Sequence, residues 1–117
     1  MLPIGHTWPS RRGVALVGDA AHLMMSWAGE GVNLALRDAL DLAEAISQAW
    51  LTFASSSPSC PTAFQEMLLP LVADFERSMF ARAREAAQET WDNSKILFSQ
   101  DGATAMAELL ASYGLPQ

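Results

Sequence analysis

The chain changes its apolar rhythm twice. Residues 13–18, Gly-Val-Ala-Leu-Val-Gly, form an unbroken apolar run between glycines. Such a run predicts one short β-strand buried on both faces. From Val32 to Trp50 the period becomes helical. Leu36, Ala39, Ala43, Ile46 and Trp50 share one stripe, while Arg37, Asp41, Glu44 and Gln48 form a polar stripe opposite. Residues 55–61, Ser-Ser-Ser-Pro-Ser-Cys-Pro, have loop composition. A helical pattern returns over Thr62–Leu69, and Pro70 is expected to break or restart it. Residues 71–97 predict a long helix, with Leu71, Phe75, Met79, Ala86 and Leu97 inward and Asp74, Arg77, Glu85, Gln88, Asp92 and Lys95 toward water. Gly102 is expected to end it, and a last short helix covers 103–111. The expected fold is therefore mostly α with one short β-strand. That strand finds almost no pairing partners in the sequence, which hints at a missing one.

Composition narrows the classes. At 117 residues the chain is one domain or a piece of one. A net charge of −6, with only seven scattered Lys and Arg, excludes the clustered basic face that nucleic acid requires. The single Cys60 excludes an internal disulfide framework and a cysteine-rich zinc site, and a reducing, cytoplasmic setting is the default expectation. The first 13 residues have Pro3 and His6 early and no long apolar core, so they do not resemble a secretory signal. No run reaches the ~18 apolar residues of a membrane span.

The candidate chemistry sits between strand and helix. Asp19 follows Gly18 at the strand end, where a small residue lets another group approach closely. Its carboxylate suits the hydroxyls of a polyol or ribose; alternatively, it caps the turn into Ala20. Residues 28–33, Ala-Gly-Glu-Gly-Val-Asn, place Gly29 and Gly31 just before a helix. The N–H groups of Gly31, Val32 and Asn33 then suit an anion or an electron-rich carbonyl, although an ordinary glycine turn would look the same. No Gly-Lys-Ser/Thr follows, so this is no Walker loop. His22 reads as a structural histidine packing under the turn. Met24, Met25 and Trp27 read as core or pocket lining, and Glu30 as a solvated turn carboxylate. No nucleophile set, catalytic residue or metal cluster emerges.

Taken together, Gly-Asp-Ala-Ala-His, then Gly-x-Gly-x-Asn, then Asp-Ala on the following helix carry a specific resemblance. Residues 18–46 closely resemble the second flavin-binding segment of FAD-dependent aromatic-hydroxylase-type monooxygenases. The nearest branch contains tetracycline-inactivating flavoenzymes and fungal biosynthetic monooxygenases. Residues 75–99 are similar to that family's long C-terminal helix, so the likeness covers roughly residues 12–110. It implies that Asp19, after Gly18, contacts the ribityl chain of FAD. It further implies that Gly29, Gly31, Val32 and Asn33 lie against the pyrimidine edge of the isoalloxazine, where a helix N-terminus would stabilise charge on reduced flavin. NADPH or NADH is implied as reductant, and no side chain here as a universal catalyst.

Three departures stand out. Met25-Ser26 replaces the family's usual proline, Glu30 replaces its common glutamine, and no Gly-x-Gly-x-x-Gly occurs. The chain is thus expected to be a C-terminal fragment of an α/β FAD-binding monooxygenase fold lacking the N-terminal dinucleotide-binding part. Its expected organisation is one partial domain over 1–117, with 1–12 irregular, 13–50 strand, flavin-binding turn and helix, 51–62 loop, and 63–111 C-terminal helices. The implied function is hydroxylation or epoxidation of a small organic, secondary-metabolite-like substrate, completed by an N-terminal partner chain or a homo-oligomer. The alternatives are a cofactor-free helical cyclase or isomerase, with Trp8, Trp27, Trp50 and Trp91 lining a pocket, or a non-catalytic remnant.

Overall fold

Two long helical segments fold back on one another, and the N-terminal residues lie across them. The computed structural model describes residues 3–25, 29–56 and 62–114. After a 3-10 turn at Gly18–Ala20 come α1 (Gly31–Ser55), α2 (Ala63–Leu97) and α3 (Gly102–Ser112). Residue pairing shows α1 and α2 to be antiparallel. Trp50 and Phe53 meet Phe64 near the connection, and Asp41 meets Arg82 at the far end.

The core gathers on α2. Val72, Phe75 and Met79, at helical spacing, are buried with Ala21, and Trp8, Ala15, Val17, Leu42, Leu68 and Phe80 pack around them. Trp8 meets Phe80 edge to face, with centroids 4.7 Å apart and planes at 85°. This arrangement favours aromatic pairs beyond their buried area. Ser10 adds a hydrogen bond to the buried carboxylate of Glu76. Ala45 and Ala49 are buried on α1, and their small side chains let the two helices approach closely.

Several expectations are corrected. Residues 13–18 form no β-ladder: the backbone is extended at Val17 (φ −136°, ψ 161°), but the isolated bridge among the described residues joins Arg11 and Val14. A strand exists only by pairing, and no second strand is present among those residues to pair with. Pro70 does not interrupt α2, which runs continuously through it. Leu68 and Val72 pack into the core on either side, so tertiary packing holds a helix that local chemistry disfavours. Gly102 does not terminate the long helix, which already ends at Leu97; it opens α3. A Cβ at Gly102 would lie 2.3 Å from the Leu97 carbonyl oxygen, so the corner between α2 and α3 requires glycine. The expected loop at 51–62 is also shorter, because α1 continues to Ser55; residues 57–61, with Cys60, lie outside the described residues.

The apolar stripe of α1 is the largest difference. The face that meets α2 carries Asp38, Asp41, Leu42, Ala45 and Ala49, of which Asp38, Ala45 and Ala49 are buried. Leu36 (65% exposed), Leu40, Ile46 and Trp50 (55%) instead remain open, as does Val32. On α2, Phe75 and Met79 do face inward, Leu71 and Ala86 are half-buried, and Leu97 is exposed. The whole measures 66 × 30 × 15 Å, with a radius of gyration of 19.3 Å. A compact chain of this length would have about 13 Å. Among the described residues, no helix is long and apolar enough to cross a membrane.

Candidate functional site

The turn after Val17 is built around Gly18. Its backbone is left-handed (φ +62°), a conformation that costs a side-chain-bearing residue but not glycine. Its carbonyl accepts hydrogen bonds from the Ala21 and His22 N–H groups, each at 2.9 Å. Its own N–H donates to Asp38 Oδ2 at 3.0 Å, 20 residues further along. A Cβ at Gly18 would lie 3.3 Å from the Ala35 Cβ, so the turn rests directly on α1. Asp19 is exposed within the turn. It does not cap it: Val17 holds that position and makes no side-chain capping bond.

The second half of the motif is the start of α1. Gly29 has φ +67°, and both Gly29 and Gly31 face open space where a Cβ would sit. Glu30 precedes the helix without a side-chain capping bond and is exposed. The first return bond of the helix is Leu34 N–H to the Glu30 carbonyl, at 3.0 Å. The amides of Gly31, Val32 and Asn33 therefore precede the internal ladder at the positive end of the helix dipole. Val32 and Asn33 are exposed. The two halves share one helix end, with Gly31, Val32 and Asn33 on its first turn and Gly18 seated against Ala35 and Asp38 on the next.

Behind them lies a charge cluster that pattern reading missed. His22, with 8% of its side chain exposed, directs Nε2 at Asp38 Oδ2, while its Nδ1 is buried without a hydrogen-bond partner. Asp38 is 1% exposed. Arg82 of α2 places Nη2 2.9 Å from Asp41 Oδ2 and 3.5 Å from Asp38 Oδ1, ion-pair contacts without aligned hydrogen-bond geometry. Arg37 Nε reaches Asp41 Oδ1 at 3.0 Å. Two carboxylates thus face two guanidiniums, and His22 closes one end. These contacts tie His22 to α1 beneath the turn. Asp38 could have been found as the one carboxylate of α1 lying off the polar stripe, and Arg82 as a cation in register with Phe75 and Met79.

Met24 and Met25 line a small cavity of about 40 Å³ with His22, Ala83, Ala87 and Trp91. Trp27 and Ser26 lie outside the described residues. No group of three or more His, Cys, Asp or Glu suited to a metal occurs among the described residues.

Comparison with known proteins gives a consistent picture. Residues 8–57 match the family model described as an FAD binding domain. Over 114 residues, 96% of this chain, it is 42% identical to the monooxygenase asqM of Emericella nidulans, covering 26% of that protein. It is 37% identical over 112 residues to the monooxygenase penA of Penicillium thymicola, covering 96% of this chain and 24% of that one. A 32% match over 96 residues, 80% of this chain, falls on 10% of the dual O-methyltransferase/FAD-dependent monooxygenase elcB of Phaeosphaeria nodorum. The chain spans about a quarter of the length of the first two relatives. No solved structure matches.

Proposed function

We propose that this chain, whose residues 8–57 match the FAD binding domain model, supplies the ribityl- and isoalloxazine-contacting part of an FAD-dependent monooxygenase acting on a small organic molecule. The observation that carries this reading is the seating of the Gly18–Ala20 turn on the helix whose first turn is Gly31, Val32 and Asn33.

The residues present fit the cofactor. Asp19 offers an exposed carboxylate that accepts hydrogen bonds from ribityl hydroxyls. Gly29 and Gly31 leave room for a flat ring system to approach the backbone. The amides of Gly31, Val32 and Asn33 donate toward an electron-rich carbonyl edge, and the helix dipole favours negative charge there. Glu30 is exposed, so water screens its charge from the site. When bound, FAD supplies the oxygen-activating redox chemistry, with NADPH or NADH as reductant. This chain binds and orients; none of its site residues is assigned a proton-transfer role.

No Gly-x-Gly-x-x-Gly is present to hold the adenine and pyrophosphate end, so a further α/β part, in a longer polypeptide or a partner chain, completes the site. The open stripe of α1 and the unladdered backbone near Val17 support such a partner. We place the assembled enzyme in the cytoplasm.

The test is an FAD titration followed by flavin fluorescence, with this chain alone and with a polypeptide carrying the N-terminal nucleotide-binding part. Binding is expected only in the mixture. Asp19→Ala should weaken it at least ~10-fold, as losing a charged hydrogen-bond acceptor costs about 1.5–3 kcal/mol. Unchanged affinity in both Asp19→Ala and Gly31→Ala would overturn the reading.

A further inference from the structure

We propose that Asp38 is a positioning residue: a single buried carboxylate that locks the Gly18–Ala20 turn to α1 and thereby fixes Asp19 relative to the amides of the first helical turn. This rests on the flavin-contact reading above and adds the element that sets its geometry.

Three parts of the molecule converge on Asp38. From the turn, the Gly18 N–H donates to Oδ2 at 3.0 Å. Four residues later, His22 brings Nε2 to the same oxygen. From α2, Arg82 Nη2 stands 3.5 Å from Oδ1. The turn is therefore gripped at both its ends, residues 18 and 22, by one side chain of α1. Asp19 lies between these two grips. Its own carboxylate is exposed, so its place is set by the backbone of the turn.

Oδ2 serves both grips at once, while Oδ1 faces the Arg82 guanidinium. With Nε2 facing a carboxylate, His22 carries a proton there and donates it into the hydrogen bond. An asparagine offers one acceptor oxygen and turns an N–H₂ group toward the imidazole or toward Arg82. The first choice removes the acceptor from Gly18 and His22 together; the second leaves them a neutral, weaker acceptor and sets donor against cation at Arg82. Arg82 balances the buried charge of Asp38, and its second contact, with Asp41 at 2.9 Å, anchors the guanidinium to the same helix. Gly18 completes the lock, because its left-handed backbone aims the N–H at Asp38 while its missing side chain lets the turn rest on Ala35.

The test has two readouts, one free of any cofactor. Amide hydrogen exchange is measured on the full chain for the wild type, Asp38→Asn and His22→Gln. In Asp38→Asn the Gly18 amide is expected to exchange ~10-fold faster or more, while the Val72–Met79 amides, which report the helix pair, change little. His22→Gln, which keeps Asp38 and Arg82, should accelerate the turn by a smaller factor and decides the matter if Asp38→Asn fails to fold. Unchanged Gly18 exchange in the folded variants overturns the proposal. The second readout is FAD affinity with the N-terminal part supplied, for Asp19→Ala, Asp38→Asn and the double variant. Positioning predicts that Asp19→Ala costs much less in the Asp38→Asn background than alone; fully additive losses overturn it. If the wild-type complex binds no flavin, the functional reading fails, and the exchange result still decides the lock.

Discussion

Gly18 carries two constraints that any side chain would break. An alanine there must hold φ near +62° and press its Cβ to 3.3 Å from Ala35. The left-handed conformation alone costs an L-residue roughly 1–2 kcal/mol. Gly18→Ala is accordingly expected to lower the urea-unfolding free energy by about 1–3 kcal/mol, whereas Gly13→Ala, also left-handed but facing open space, should cost only the backbone part of that. At this scale much of the candidate site was readable. Glycines flanking an acid and a helix start announce a turn and an unladdered set of amides, and both are present. The alternative role for Asp19 as a cap failed, because Val17 takes that position. The partner of His22 was not readable. Periodicity sorts a helix into wet and dry faces, and a carboxylate that falls on neither becomes intelligible only when Arg82, 44 positions away in the chain, is brought to it.

The helices themselves were legible in number and approximate extent, since long periodic segments fix their own type. Their ends and inward faces were less so. Pro70 illustrates the first failure. It removes the N–H that would bond to the Glu66 carbonyl, yet Leu68 and Val72 pack into the core on either side and hold the helix through it. Pro70→Ala should therefore stabilise the chain by about 1–3 kcal/mol, read as a raised thermal midpoint with unchanged helix content. The second failure is α1. It has three faces rather than two: a polar one, an apolar one and a mixed one. The helix turns its mixed face to α2, because Ala45 and Ala49 permit close approach and Arg82 neutralises the carboxylates on that side.

Across the whole molecule, the leftover apolar face is the main surface feature. Val32, Leu36, Leu40 and Trp50 form an exposed stripe on α1, and Val14 and Leu16 are exposed beside the turn. Patches of this kind on a soluble chain mark a covering partner or an association surface. The double variant Leu36→Ser, Leu40→Ser should leave unfolding free energy within about 1 kcal/mol, because neither side chain is buried, while reducing self-association in sedimentation equilibrium. It should also weaken capture of the proposed N-terminal part. A fall in helix content would mean instead that the stripe supports the fold. Residues 13–18, an apolar run that finds no strand to pair with among the described residues, were readable in the sequence as an unpartnered element; the openness of the α1 stripe was not, because an apolar face looks the same whether or not it is covered.

The flat, drawn-out outline has one practical consequence. A radius of gyration of 19.3 Å is that of a compact globule of about 300 residues, more than twice this chain's length. On a gel-filtration column a lone 12.7 kDa chain would elute early, in the volume of a globular dimer or trimer. Elution position would then mimic oligomerisation in a molecule that is merely long.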